Sequence, residues 1–167
     1  IISYKITTFH GESKEKKEKS LHIYLLNLIF AVLKYPFMKD VVLITGATSG
    51  IGRATAELLS QKGYRVYGTA RHIQAKPEGY TLLTMDVRDT ASVVERIIAL
   101  EKRIDVLINN AGVGITGAIE ETPIEALENA FQNNVFGAIR VIQAVLPHMR
   151  TQQKGKVINI TSVAAYM

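Results

Sequence analysis

The chain has 167 residues, 47% of them hydrophobic, which is enough for one domain with a real core. It has no cysteine, which excludes disulfides and thiolate metal sites; no metal site is expected, and the composition suits a cytoplasmic protein. The net charge of +5 raises nucleic acid or a membrane surface as partners, but residues 38–167 carry 14 basic against 12 acidic residues, with no basic stripe interleaved with aromatics, so nucleic-acid binding is not expected.

The first 37 residues read unlike the rest, with six Lys against three acids. A mixed-charge run from Glu12 to Lys19 precedes an apolar run, Leu21 to Leu33, and Lys34-Tyr35-Pro36-Phe37 closes the segment. Thirteen apolar-run residues that include His22 and Asn27 fall short of the roughly 20 that span a bilayer. The closing residues do not supply the small side chains of a signal-peptide cleavage site. Met38 is the first methionine, and Lys39-Asp40 lead directly into a strand-like run. Residues 1–37 are therefore expected to lie outside the functional fold; an interfacial anchor or a partner-binding helix are the alternatives.

From Met38 onward, apolar strand-like runs alternate with helical patterns, the signature of a parallel sheet with helices on its faces. The expected strands are Val41–Thr45, Arg65–Ala70, Thr81–Met85, Asp105–Asn109 and Val157–Thr161. A helix is expected from Ile51 to Lys62, stopped by Gly63, and another from Asp89 or Thr90 to near Lys102. His72 to Gly79, with Pro77, reads as a loop. Thr122-Pro123-Ile124-Glu125 predicts a helix start, with Thr122 as cap, Pro123 at the first helical position and Glu125 closing a capping box. That helix is expected to reach Met149, weakened or ended by Pro147. The sum is an α/β fold of five parallel strands joined by four crossovers.

The residues that point to chemistry cluster where strands end. Val41 to Gly52 gives a strand, a turn with glycines at 46, 50 and 52, and a helix start. Glycines let backbone approach a phosphate closely, and a helix N-terminus offers free N–H groups and a positive dipole end. A dinucleotide pyrophosphate fits such a place. An NAD site would carry an acid near the end of the second strand to bind the ribose 2′-hydroxyl. Here Gly68-Thr69-Ala70-Arg71 stands there, and a guanidinium suits a 2′-phosphate, which points to NADP; a merely solvated Arg71 is the alternative. Asp86, before Val87, either accepts from an adenine amino group or caps the next helix. In Asn109-Asn110-Ala111-Gly112 the small residues admit a cofactor, or the asparagines pin a structural turn. Asn133 and Asn134 interrupt a helical pattern at a propensity cost, which suggests a task for at least one. Ser162 follows the last strand at the sheet's carboxyl edge, where its hydroxyl could hold a carbonyl or alcohol.

In order and spacing, Thr45-Gly46-x-x-x-Gly50-Ile51-Gly52, Asp86-Val87, Asn109-Asn110-Ala111-Gly112, Asn134 and Asn159-Ile160-Thr161-Ser162 resemble the short-chain dehydrogenase/reductase family. The run from Gly112 to Arg150 looks like its hydroxysteroid and retinol dehydrogenase branch. The resemblance implies a Rossmann-type doubly wound sheet and reversible hydride transfer between NAD(P)H and a carbonyl or alcohol. It also implies that Gly46, Thr48, Ser49, Gly50, Ile51 and Gly52 cradle the pyrophosphate. Arg71 would select NADP, Asp86 and Val87 would flank the adenine, and Asn109, Ala111 and Gly112 would line the ribose. Ser162 would be the catalytic serine, and Asn134 would hold a water in the proton relay. Family members often form homo-oligomers.

The chain departs from the family in one respect. The family's acid/base is a tyrosine in Tyr-x-x-x-Lys, about a dozen residues past the serine, whose phenol a lysine charge activates. Only five residues follow Ser162, and Tyr166 is too close and lacks the lysine. The expectation is a fragment with a sheet incomplete on its C-terminal side and little turnover. A non-catalytic NADP(H)-binding or regulatory protein is the alternative.

Overall fold

The computed structural model describes residues 40–73, 77 and 79–162. The segment 1–37, part of the loop after Arg71 and the Tyr166 position lie outside the described residues. The strands are β1 (Val41–Thr45), β2 (Arg65–Ala70), β3 (Thr81–Thr84), β4 (Val106–Asn109) and β5 (Lys156–Asn159). They form one sheet in the order β3-β2-β1-β4-β5, every pairing parallel. The chain winds outward from β1 through β2 to β3, then returns to the other side of β1 for β4 and β5. The reversal falls between β1 and β4, and ligands of doubly wound sheets bind outside the carboxyl ends at that point.

The helices are α1 (Gly50–Gln61), α2 (Ala91–Glu101), α3 (Ile124–Phe131) and α4 (Ala138–Thr151). A core on one face of the sheet joins Val41, Leu43 and Leu107 to Val94 and Ile97 of α2 and Val141 and Val145 of α4. Residues of the central strands alternate between two covered faces, so β1 and β4 read as continuous apolar runs. Burying one such side chain contributes roughly 1.5–3 kcal/mol. β5 is an edge strand of the described sheet, and its Val157 is 36% exposed.

Two local expectations are corrected. The capping box at Thr122 does not form. A 3₁₀ turn, Ile119–Glu121, precedes it, and the Thr122 hydroxyl donates back to Ala118 O at 2.9 Å. Pro123 becomes the cap position, without a side-chain cap bond. The long helix is also not uniform: Gln132–Gly137 forms a π turn between α3 and α4. Pro147 does not end α4, which runs on to Thr151. It is exposed, so the backbone bond that proline forfeits faces solvent. Gly63 stops α1 at φ +85° as the pattern demands.

Candidate cofactor-binding site

The turns that follow β1 and β4 are tied together at the reversal point. The Thr45 hydroxyl accepts from the backbone N–H groups of Asn110 and Ala111, both at 3.0 Å. The Asn110 amide donates to Thr45 O at 3.0 Å and Gly46 O at 3.1 Å. This closeness explains two glycines. A Cβ on Gly46 would lie 2.9 Å from Ala111 Cα, and one on Gly52 would collide with Gly46 O and the Asn110 amide. Gly46 is also left-handed, at φ +70°. The same loop is pinned to β2, because Ala47 N donates to Thr69 O at 2.9 Å and the Tyr80 hydroxyl donates to Ala47 O at 2.7 Å.

Gly50 differs from its neighbours. At φ +53°, a Cβ there would meet nothing within 4 Å. It opens α1, whose cap residue Ser49 makes no side-chain cap bond. The first N–H groups of α1 therefore have no side-chain cap, and such groups are the donors a phosphate takes. A cleft of about 270 Å³ lies at these strand ends, lined by Gly46, Thr48 and Ser49 before α1, by Ala70, Arg71 and Val87, and by Asn110, Ala111, Gly112 and Val113; Gly50 and Gly52 are not in its lining. Ile51 is half-buried behind it, outside the lining.

The predicted residues divide. Arg71 is exposed at the cleft's edge, just past the end of β2. Met85 and Val87 line the cleft, while the Asp86 side chain between them is clasped by Arg88. Its Oδ1 accepts from Arg88 N at 2.9 Å and Nε at 3.0 Å, and its Oδ2 from Nη2 at 2.6 Å. The hydrogen bond from the Arg88 guanidinium holds the Asp86 carboxyl down at about 2, against burial, helped by the Arg88 N–H and the charges of Arg88 and Arg71. Asp86 does not cap α2; Thr90 occupies that position, without a side-chain cap bond. The carboxylate spends its acceptors on its own turn instead.

Asn109 is set apart from its neighbours in the motif. It is buried beneath the turn, outside the lining, and donates to Asn159 Oδ1 at 2.9 Å on β5 and to Ala138 O at 3.4 Å. The Asn134 amide pairs with both backbone groups of Val113, donating to its carbonyl and accepting from its N–H, each at 2.8 Å. Asn134 thereby holds the loop that forms one wall of the cleft. Asn133, also in the π turn, lines the cleft and donates to Asn129 O at 2.7 Å. The propensity cost of two adjacent asparagines is explained by that turn. Ser162 is exposed past β5, on the same edge of the sheet but outside the lining. The ladder reaches towards it through Ile160 N, which donates to Asn109 O at 2.8 Å.

Sequence reasoning missed the Thr45 hydroxyl and the space-making glycines. Gly68 of β2 leaves room for Ala47, whose Cβ would be 2.6 Å from a side chain there. Its signal was a glycine inside an otherwise ordinary strand.

The family model described as short chain dehydrogenase matches residues 40–167. The chain is 45% identical over 131 residues to the 3-ketodihydrosphingosine reductase of Bacteroides thetaiotaomicron, covering 77% of this chain and 49% of that one. It is 35% identical over 136 residues to human retinol dehydrogenase 8, covering 73% and 44%. A solved structure described as ElxO with NADP bound superposes with a TM-score of 0.72 at 28% identity, over 78% of this chain and 58% of that chain. The chain spans about half the length of the curated relatives it matches. The turn, the sheet order and the sequence match agree, and the chain belongs to the short-chain dehydrogenase family.

Proposed function

We propose that the chain is the cofactor-binding part of an NADP-dependent oxidoreductase that interconverts a carbonyl and a secondary alcohol on a small molecule. In this reading residues 38–167 are the N-terminal part of a dinucleotide-binding domain, and residues 1–37 lie outside it. One observation carries the choice of cofactor. Ser49, the cap position of α1, lines the same cleft as Arg71, and no carboxylate stands at the end of β2. The pyrophosphate would take the N–H groups at the start of α1, and the 2′-phosphate would take the Arg71 guanidinium. Asp86 and Val87 would flank the adenine, and Ala111 and Gly112 the ribose. Asn109 would act from below, through Asn159. Bound NADP supplies the hydride acceptor or donor. Ser162 would orient the substrate oxygen, and Asn134 would hold both the loop at Val113 and a water of the proton relay.

Exposed Phe131, Val135, Phe136 and Ile139 on the long helical stretch support a homo-oligomer. Among the described residues no helix is long and apolar enough to cross a membrane, and a cytoplasmic location is proposed with it. The test is a titration of NADPH and NADH on the chain and on Arg71→Ala. Losing a charge-assisted contact costs about 1.5–3 kcal/mol, so NADPH should bind about ten- to a hundredfold more weakly to the variant, with NADH unchanged. Equal binding of the two cofactors by the unaltered chain would overturn the NADP assignment.

A further inference from the structure

Gly137 closes the π turn with ordinary helical angles, φ −59° and ψ −49°, so its backbone does not require glycine. A glycine within a helix is unfavourable relative to alanine. Space accounts for it. A Cβ at Gly137 would stand 2.5 Å from Val87 Cγ2, 2.9 Å from Val87 Cβ and 3.2 Å from Gln132 O. Val87 is buried, and a β-branched side chain cannot swing its Cβ aside. The same π turn carries Asn134, whose amide grips both backbone groups of Val113. Val87 and Val113 both line the cleft. One short helical turn thus touches two residues of the cleft lining, Val87 through packing and Val113 through hydrogen bonds.

We infer that Gly137 is a positioning residue: its missing side chain seats Val87 against the π turn and sets the width of the cleft at its adenosine end. This rests on reading the cleft as a dinucleotide site. An added methyl must push Val87 into the cleft or push the π turn, and Asn134 with it, away from Val113.

The test is a double-mutant cycle on the 167-residue chain, with Gly137→Ala, Val87→Gly (which removes the Cβ as well as the methyls) and the double variant. Affinities for NADPH and for adenosine 2′,5′-bisphosphate, and the thermal midpoint, are read for each. Gly137→Ala should weaken both ligands about tenfold, as overpacking by one methyl predicts, and should cost less than about twofold once Val87 is truncated. Equal losses in both backgrounds, or no loss at all, overturn the inference. A Gly137→Ala chain that unfolds while the double variant folds supports it, and a double variant that unfolds as well overturns it. If the unaltered chain binds neither ligand, the cofactor reading falls. The thermal midpoints then still decide whether Gly137 seats Val87.

Discussion

At the carboxyl ends of β1 and β4 the polar groups are backbone, hydroxyl and amide. They bind each other through Thr45 and Asn110, and the cap position of α1, Ser49, borders an open cleft. At the amino ends of the same strands the groups are full charges, and they close on each other. Asp105 accepts from Val41 N at 2.9 Å and from Arg103 Nε at 2.7 Å, and Arg103 Nη2 also meets its other oxygen. Lys154 reaches Asp40 at 2.9 Å and Asp105 at 3.6 Å. Burial pushes the Asp105 carboxyl up, but the Arg103 hydrogen bond, the Val41 N–H and the charges of Arg103 and Lys154 outweigh it and hold it below the usual range. The contrast separates two uses of a strand end. Satisfied charges lock one edge of the sheet, whereas the polar groups at the other border an open cleft, the place proposed for the cofactor.

The largest effect should come at the carboxyl end, where the glycine turn is packed against the turn after β4. Gly52→Ala forces a methyl into Gly46 O and the Asn110 amide, which cannot yield without opening the turn. It should cost about 3 kcal/mol or more in urea unfolding and abolish NADPH binding in titration. If binding survives, the carboxyl end is not the ligand end. Asp105→Asn should separate the two ends. Breaking a buried pair costs about 3–5 kcal/mol, but Arg103 and Lys154 are 42% and 36% exposed, so about 2 kcal/mol is expected. The NADPH affinity should not change.

Acid titration sharpens the same contrast. Asp86 and Asp105 both have depressed folded values, so their contribution is present above the ordinary value of 3.8 and is lost as pH falls through the folded value. For Asp86 that window runs from 3.8 down to about 2. Circular dichroism across it should show unfolding that Asp105→Asn shifts to higher pH. A variant with an unshifted acid limb would mean that Asp105 is not held by its partners.

The smallest effect should be Tyr67→Phe. Tyr67 donates to Glu101 Oε1 at 2.6 Å, and burial first, then that bond, pushes its phenol up to about 12. The raised value means its contribution is present below the ordinary value of 10 and is lost as pH rises through about 12. Removing the hydroxyl should cost about 1 kcal/mol at pH 7 by urea unfolding and should leave binding untouched.

Much of this organisation was legible in the chain itself. Apolar runs such as Val41–Ile44 can be buried on both faces only in a covered sheet, and the glycine turn after the first run lies at the edge of the cleft. Arg71 and the absence of an acid at the end of β2 are read directly from the chain, and the proposal of NADP rests on them. The cap at Thr122 misled, because a hydroxyl takes whichever acceptor is nearest, and the 3₁₀ turn before it supplied Ala118 O. Of the two readings of Asp86, the helix cap does not form, because Thr90 takes that position while Arg88, two residues along the chain, binds the carboxylate.

By itself, then, the sequence determined the strands, the crossover pattern, the glycine turn and the family, since these follow from periodicity and from residue types at short range. Tertiary structure alone decided what each asparagine and glycine does. Asn109 holds β5, Asn110 holds the glycine turn and Asn134 holds Val113, although all three share the same amide chemistry. Gly46, Gly52, Gly68 and Gly137 are glycines for different neighbours, each distant in the chain. Partner choice and free volume are properties of packed surfaces, and packing brings together residues that no local pattern relates.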